Sequence, residues 1–370
     1  MTSPAASTSL PYHRLARLTG RHRWWRPLLG LPLLASGWLL LVIVVDTVSY
    51  AVGTASGRPE LPDGSIDFGL LPTTVLELSY IAFMLPLVLL AVRWTERRPA
   101  GSVSSVAGRL RWGWLMRCLA VAVPAVALLA VASSLLPTSE EESTATDQWV
   151  GLPAFLTSMA VLAVFVPLQA AAEEYVFRGW MMQAVGGFLR SPWCAVLPQA
   201  VLFAAAHGWG TPWGFADLLV FALVAGGLTI RTGGLEASVA LHVLNNLMGF
   251  GLAATAVDGL ASDETAADLP WQIAAIDTMT SLLYAAAVLW LARRKPPQRL
   301  ATPVTAVVAR PAPLSTLPHY PSPVAYTAGP YPAPTATAPH GSGLLPAPPH
   351  GSSAPAASFV RPDTDERPAQ

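Results

Sequence analysis

"AAEEYVFRGW", residues 171–180, closes a long apolar run with two adjacent glutamates and an arginine. Charged side chains are costly in hydrocarbon, so ionisable groups at such depth pair with one another or mark a functional site. Helical spacing sorts these three. Glu174 and Arg178 stand four residues apart on one face, the spacing of an intrahelical ion pair. Glu173 points about 100° away on a helix of 3.6 residues per turn and is left outside that pair. An unpaired carboxylate in a low-dielectric site is a candidate general base.

The surrounding chain has 370 residues, of which 53% are hydrophobic and 12% charged. Soluble domains carry about 25% charged residues, so this composition is that of a membrane protein. The formal net charge is zero, which leaves no electrostatic footprint for nucleic acid. Cys118 and Cys194 lie in or beside apolar runs and form no Cys-x-x-Cys pair, so neither a disulfide framework nor a zinc ribbon is indicated. Lys295 is the only lysine among many arginines, alanines, glycines and prolines, a bias typical of a GC-rich bacterial genome.

A membrane helix needs roughly 20 predominantly apolar residues. Eight stretches qualify: 28–52, 71–93, 114–136, 150–172, 192–210, 213–230, 234–257 and 271–292. The first is longer than the ~7–15 apolar residues of a signal-peptide core and more spans follow it, so it is read as a helix. Arg14, Arg17, Arg21, Arg23 and Arg26 precede the first span. Arg93, Arg97, Arg98, Arg109 and Arg111 fall around the loop between the second and third, and "RRKPPQR" (293–299) follows the eighth. The acidic stretches "TSEEESTATD" (138–147) and "DGLASDETAAD" (258–268) fall on the other side. The positive-inside rule then predicts a multi-pass cell-membrane protein with both termini cytoplasmic, and every loop agrees.

The chain divides accordingly. A basic segment (1–27) leads into the N-terminal transmembrane helices (28–149), a core (150–260), the last helix (261–295) and a tail (296–370). That tail is rich in Pro, Ala, Ser and Thr, with "PHGS" at both 339–342 and 349–352. It holds too little apolar surface to offset its ordering entropy and is expected to be disordered. Beyond a plain solvated role, its prolines could recruit a partner through polyproline recognition.

Two further clusters lie in the core: "FAAAH" (203–207) in the fifth span and "HVLNN" (242–246) in the seventh. Of seven histidines, only His207 and His242 fall within spans. If the chain turns near Arg190–Pro192, Glu173 and His207 are about equally far from the turn, and antiparallel helices bring them to similar depth. His242 and Asn246 share a helical face, with Asn245 beside them. An imidazole and a carboxamide together can donate hydrogen bonds to a developing oxyanion. The set fits a water-activating acid/base site with an oxyanion hole, inside a helix bundle.

Glu-Glu-x-x-x-Arg (173–178), Phe-x-x-x-His (203–207) and His-x-x-x-Asn (242–246), in that order on three membrane helices, resemble the CPBP intramembrane protease family. That family includes the eukaryotic CAAX prenyl endopeptidase and bacterial Abi proteins. The resemblance covers roughly 150–260. It implies an all-α polytopic fold of about eight transmembrane helices with the active site within the bundle. It also implies an endopeptidase acting on a membrane-associated protein or peptide. In that reading Glu173 and His207 activate water, His242 and Asn246 stabilise the oxyanion, Glu174 and Arg178 support them, and no cofactor is needed. Zinc held by Glu173, His207 and His242, with water in the fourth position, is the metal-dependent alternative, although no His-Glu-x-x-His is present.

Two other classes stay open on the sequence. Asp46, Glu77, Asp217 and Asp277 lie in or at the ends of spans, as in a proton-coupled transporter, but no internal repeat is visible and the acids read as scattered. A non-catalytic membrane scaffold or immunity protein is the third. The substrate is not readable, because pockets built across helices leave no sequence code.

Overall fold

Each apolar run folds as helix, since a backbone in hydrocarbon must satisfy its own hydrogen bonds. The computed structural model describes residues 9–136, 148–261 and 265–302. The acidic stretch 138–147 and the tail beyond 302 lie outside the described residues. Within them run ten α-helices: α1 Trp25–Ala55, α2 Leu70–Ala82, α3 Met84–Trp94, α4 Trp112–Ser134, α5 Leu152–Glu174, α6 Met182–Gly186, α7 Trp193–Ala206, α8 Pro212–Thr232, α9 Glu236–Ala253 and α10 Trp271–Arg294.

The protein is a helical polytopic membrane protein. Among the described residues, six segments are long and apolar enough to cross a bilayer: α1, the α2–α3 unit (Leu70–Trp94), α4, the α5–α6 unit (Leu152–Gly186), α8 and α10. The two other expected spans exist as helices but differ in kind. With 14 residues, α7 reaches only about 21 Å at 1.5 Å per residue, against a hydrocarbon core of about 30 Å. Polar Glu236, His242, Asn245 and Asn246 lower the hydropathy of α9, an 18-residue helix. Both departures occur in helices that carry site residues.

The two ends of the bundle are chemically distinct. At one end β1 (Leu10–Pro11) pairs antiparallel with β2 (Leu300–Ala301), and the Tyr12 hydroxyl donates to the Val103 carbonyl. There too the Val106 amide donates to the Gly233 carbonyl and the Leu235 amide to the Ser104 carbonyl, both at 2.9 Å. Gly233 (φ 76°) makes the tight turn between α8 and α9 that these bonds fasten, a left-handed conformation that glycine adopts without steric cost. The basic N-terminal segment, the 95–111 loop and the chain after α10 therefore share this end. At the opposite end Trp149 bridges Ala256, and the Thr211 amide donates to the Ala267 carbonyl at 2.8 Å. Exposed tryptophans mark both boundaries: Trp24, Trp25, Trp94, Trp112, Trp193 and Trp290 at the basic end, Trp149, Trp209, Trp213 and Trp271 at the other. Such belts sit where hydrocarbon meets water.

In the middle, α9 packs against α4, α5 and α8. Its first two turns, Glu236–Val243, are buried on every side.

Candidate active site

Glu173 and Glu174 are the last residues of α5. Beyond them Tyr175–Met181 is π-helical before α6 resumes, a widening that recurs at functional sites. Gly179, inside it, lies against Val103, and a Cβ there would collide with that side chain. The glycine thus lets the 95–111 loop seat on the widened turn.

Arg178 Nη1 lies 2.7 Å from Glu174 Oε1, and both side chains are wholly buried. The Arg178 guanidinium also stacks over the Phe203 ring at 4.0 Å. Glu173 stands outside this pair, as its spacing requires, but it is not isolated. Gln169 Nε2 donates to Glu173 Oε1 at 2.5 Å, and His242 Nε2 lies 3.4 Å from Glu173 Oε2. On its other side His242 Nδ1 meets Glu174 Oε1 at 2.8 Å. Asn246 Nδ2 donates to Gln169 Oε1 at 3.0 Å. A continuous polar chain, Asn246–Gln169–Glu173–His242–Glu174–Arg178, therefore joins α5, the π segment and α9.

Proton bookkeeping follows from the partners. A carboxylate only accepts, so the Nδ1 of His242 carries the hydrogen it gives to Glu174. Its Nε2 then faces Glu173 lone pair to lone pair unless a proton lies between them. Glu173 Oε2 is buried and has no hydrogen-bond partner among the described residues. This is where a reacting proton can sit.

His207 caps the short α7. Its Nδ1 is 2.9 Å from the Phe203 carbonyl, which only accepts, so the neutral ring keeps a lone pair on Nε2. The ring packs on Phe203 at 4.6 Å between centroids, and Phe203 in turn meets the edge of His242 at 5.8 Å. One phenyl ring thus touches Arg178, His207 and His242, which gives the Phe-x-x-x-His spacing a packing reason. Among the described side-chain contacts, the imidazole that reaches Glu173 is His242 rather than His207. No group of three or more His, Cys, Asp or Glu side chains among the described residues is arranged to hold a metal ion, so Glu173, His207 and His242 do not gather as a ligand set here.

Two features escaped the sequence reading. Gln169 lies four residues before Glu173 on the same face, a spacing that was visible but carried no motif. Asp217 and Asp277, read as scattered, face one another across α8 and α10. Thr278 Oγ1 donates to Asp217 Oδ1 at 2.5 Å and Asn245 Nδ2 to Asp277 Oδ2 at 3.2 Å. The neighbouring asparagines of α9 therefore serve different networks: Asn246 the glutamates, Asn245 the aspartates.

Residues 153–248 match the family described as Type II CAAX prenyl endopeptidase Rce1-like. Every residue of the polar chain, with Phe203 and His207, falls inside that stretch. The Bacillus subtilis (strain 168) protein YyaK is 29% identical over 184 residues, which cover 48% of this chain and 60% of the relative. The chain thus spans about 60% of the length of that curated relative. No solved structure matches it. The resemblance to the CPBP family carried by the three motifs is borne out by this independent match, which is of the Rce1-like type and confined to residues 153–248.

Proposed function

We propose that this protein is an intramembrane endopeptidase that hydrolyses a peptide bond of a membrane-associated protein or peptide. One observation carries the reading: a buried glutamate oxygen, Glu173 Oε2, without a hydrogen-bond partner among the described residues and 3.4 Å from an imidazole nitrogen. Glu173 takes a proton from a water that the free Nε2 of His207 helps to orient. The hydroxide attacks the peptide carbonyl and the proton passes to the leaving amine. Glu174, paired with Arg178, fixes the His242 ring through Nδ1. The one proton between His242 Nε2 and Glu173 Oε2, held on Nε2 in the resting site, leaves Glu173 ionised as the base and gives an Nε2–H to donate to the oxyanion. Asn246 has two N–H groups and gives one to Gln169, which leaves the second for the same oxyanion. The reading needs no cofactor. Loss of activity on exhaustive chelation, restored by zinc, would replace it with the metal-dependent version.

The shared basic end supports a multi-pass cell-membrane protein whose two ends, as far as they are described, meet at the cytoplasmic face. The arginine-rich composition and the Bacillus relative support a bacterial source.

The test compares protein termini in host membranes expressing the wild type or Glu173→Gln at equal levels. New termini confined to the wild type are expected, with a rate loss of about 10²–10⁴ in the variant, the usual worth of a general base. Identical terminal profiles, with both proteins stably inserted, would overturn the proposal.

A further inference from the structure

A pocket of about 500 Å³ opens at the basic end, between the first turn of α4 and the chain leaving α10. Arg109, Arg117 and Lys295 line it. All three are exposed, and none pairs with a carboxylate among the described residues. Arg111 is different: its Nη2 is 2.6 Å from the buried Glu236 and its Nη1 donates to the Gln298 carbonyl at 2.8 Å. Its charge is spent, and it acts as the wall that ties α4, α9 and the chain after α10 together.

Backbone polarity points the same way as the free cations. Because α4 starts here, the Trp112 and Gly113 amides have no acceptor among the described residues, and the helix turns its positive end to the pocket. A separate feature calls for an acceptor. Trp114, only 5% exposed, also lines the pocket, and its indole N–H has no partner among the described residues. Indole N–H only donates, so what completes this site is an acceptor-rich, negatively charged group.

We infer that the pocket binds the phosphate of an anionic phospholipid headgroup. The phosphate chemistry follows from three unpaired cations and two free helix amides on one pocket, beside a buried indole donor without an acceptor among the described residues. The lipid source follows from position. Trp112, at 65% exposure, and Trp290 flank this end at the boundary between hydrocarbon and water, where basic pockets between membrane helices meet headgroups. The inference stands on this pocket and not on the proteolytic reading.

The experiment counts lipids retained by the purified full-length protein, by native mass spectrometry, after titration with phosphatidylglycerol or phosphatidylcholine. Wild type is expected to hold one phosphatidylglycerol preferentially. Arg109→Gln/Arg117→Gln/Lys295→Gln, all surface changes, should lose that preference by on the order of 100-fold, about fivefold per cation. Arg231→Gln, a single exposed charge elsewhere, should keep it. Trp114→Phe keeps every charge and should weaken binding several-fold, which a diffuse attraction to anionic lipid would not do. Equal retention of the two lipids by wild type, or unchanged retention in the triple variant, would overturn the site. Displacement by millimolar inorganic phosphate would overturn the lipid as its source.

Discussion

Arg178 gives the sharpest test of how the site is held together. Its guanidinium is wholly buried, 2.7 Å from Glu174 and stacked 4.0 Å over Phe203. Arg178→Met removes the partner of a buried carboxylate, a change that costs roughly 3–5 kcal/mol because the remaining charge is stranded. For a chain of this size about 2 °C is lost per kcal/mol, so a fall of roughly 6–10 °C in Tm is expected. Glu174→Gln/Arg178→Met removes both charges, while the Gln carbonyl oxygen can still accept from His242. The double variant should therefore recover at least about half of the loss, since replacing a whole buried pair is often close to neutral. Arg178→Lys keeps the charge but loses the planar stack on Phe203, worth up to about 2 kcal/mol when desolvated, and should fall between. The assay is thermal unfolding in detergent read by a thiol-reactive fluorophore. Cys118 is fully buried and reports opening, provided exposed Cys194 is first replaced by Ser. A single-variant fall under about 2 °C would refute the reasoning, as would a double variant as unstable as the sum of the singles.

Gln169→Leu keeps the volume but removes the 2.5 Å bond that orients Glu173. Turnover should drop about tenfold or more with KM little changed, as for a lost hydrogen bond to a charged group, whereas an unchanged kcat would show that Glu173 is oriented without it. Asp277→Asn removes one of two facing carboxylates and should leave cleavage at the wild-type rate, measured on the substrate that terminal profiling identifies. Loss of cleavage would join the two networks into one site. Outside the membrane, burial first and the Arg14 charge next hold the His13 imidazole below its usual range, against a pull upward from the Arg190 carbonyl. A group whose folded pKa is depressed lends stability above its unfolded pKa, about 6.5, and loses it as pH falls through the folded value. Hydrogen-exchange protection factors across residues 10–17, which allow for the slower intrinsic exchange at lower pH, should therefore fall between pH 7 and 5, with His22 lowered in the same sense; constant protection factors over that window would count against it.

Hydropathy located every helix but the short α6, which falls outside the eight apolar stretches, because apolar length is a local property and arginine placement a simple count. The Glu174–Arg178 pair was legible for the same reason: i, i+4 spacing on one helix places the two side chains together, and they meet at 2.7 Å. What the sequence could not supply was partners across helices. His242 sits 68 residues from Glu174, and Asn246 77 residues from Gln169. No periodicity encodes such distances. The same holds for Asp217 and Asp277, which look unrelated until α8 and α10 pack. Two local departures were also hidden. The π segment after Glu174 has a composition no different from α-helix, and α7 ends at Ala206, four residues before the end of the expected span 192–210.

The adjacent asparagines of α9 explain why that helix is fixed so firmly. Successive residues on an α-helix diverge by about 100°, so Asn245 and Asn246 must face different neighbours. One is bonded to Asp277 on α10 and the other to Gln169 on α5. Any rotation of α9 about its axis breaks one bond as it shortens the other. The helix is pinned a third time at the basic end, where Glu236 accepts three hydrogen bonds from Arg111. His242 lies six residues beyond Glu236, about 9 Å along the axis, between that anchor and the asparagines. Lipid tails offer helices no hydrophobic drive to associate, so interhelical hydrogen bonds and close packing must set orientation. The polar cost of α9, which keeps it from reading as an ordinary span, is thus what aims the His242 ring between the two glutamates.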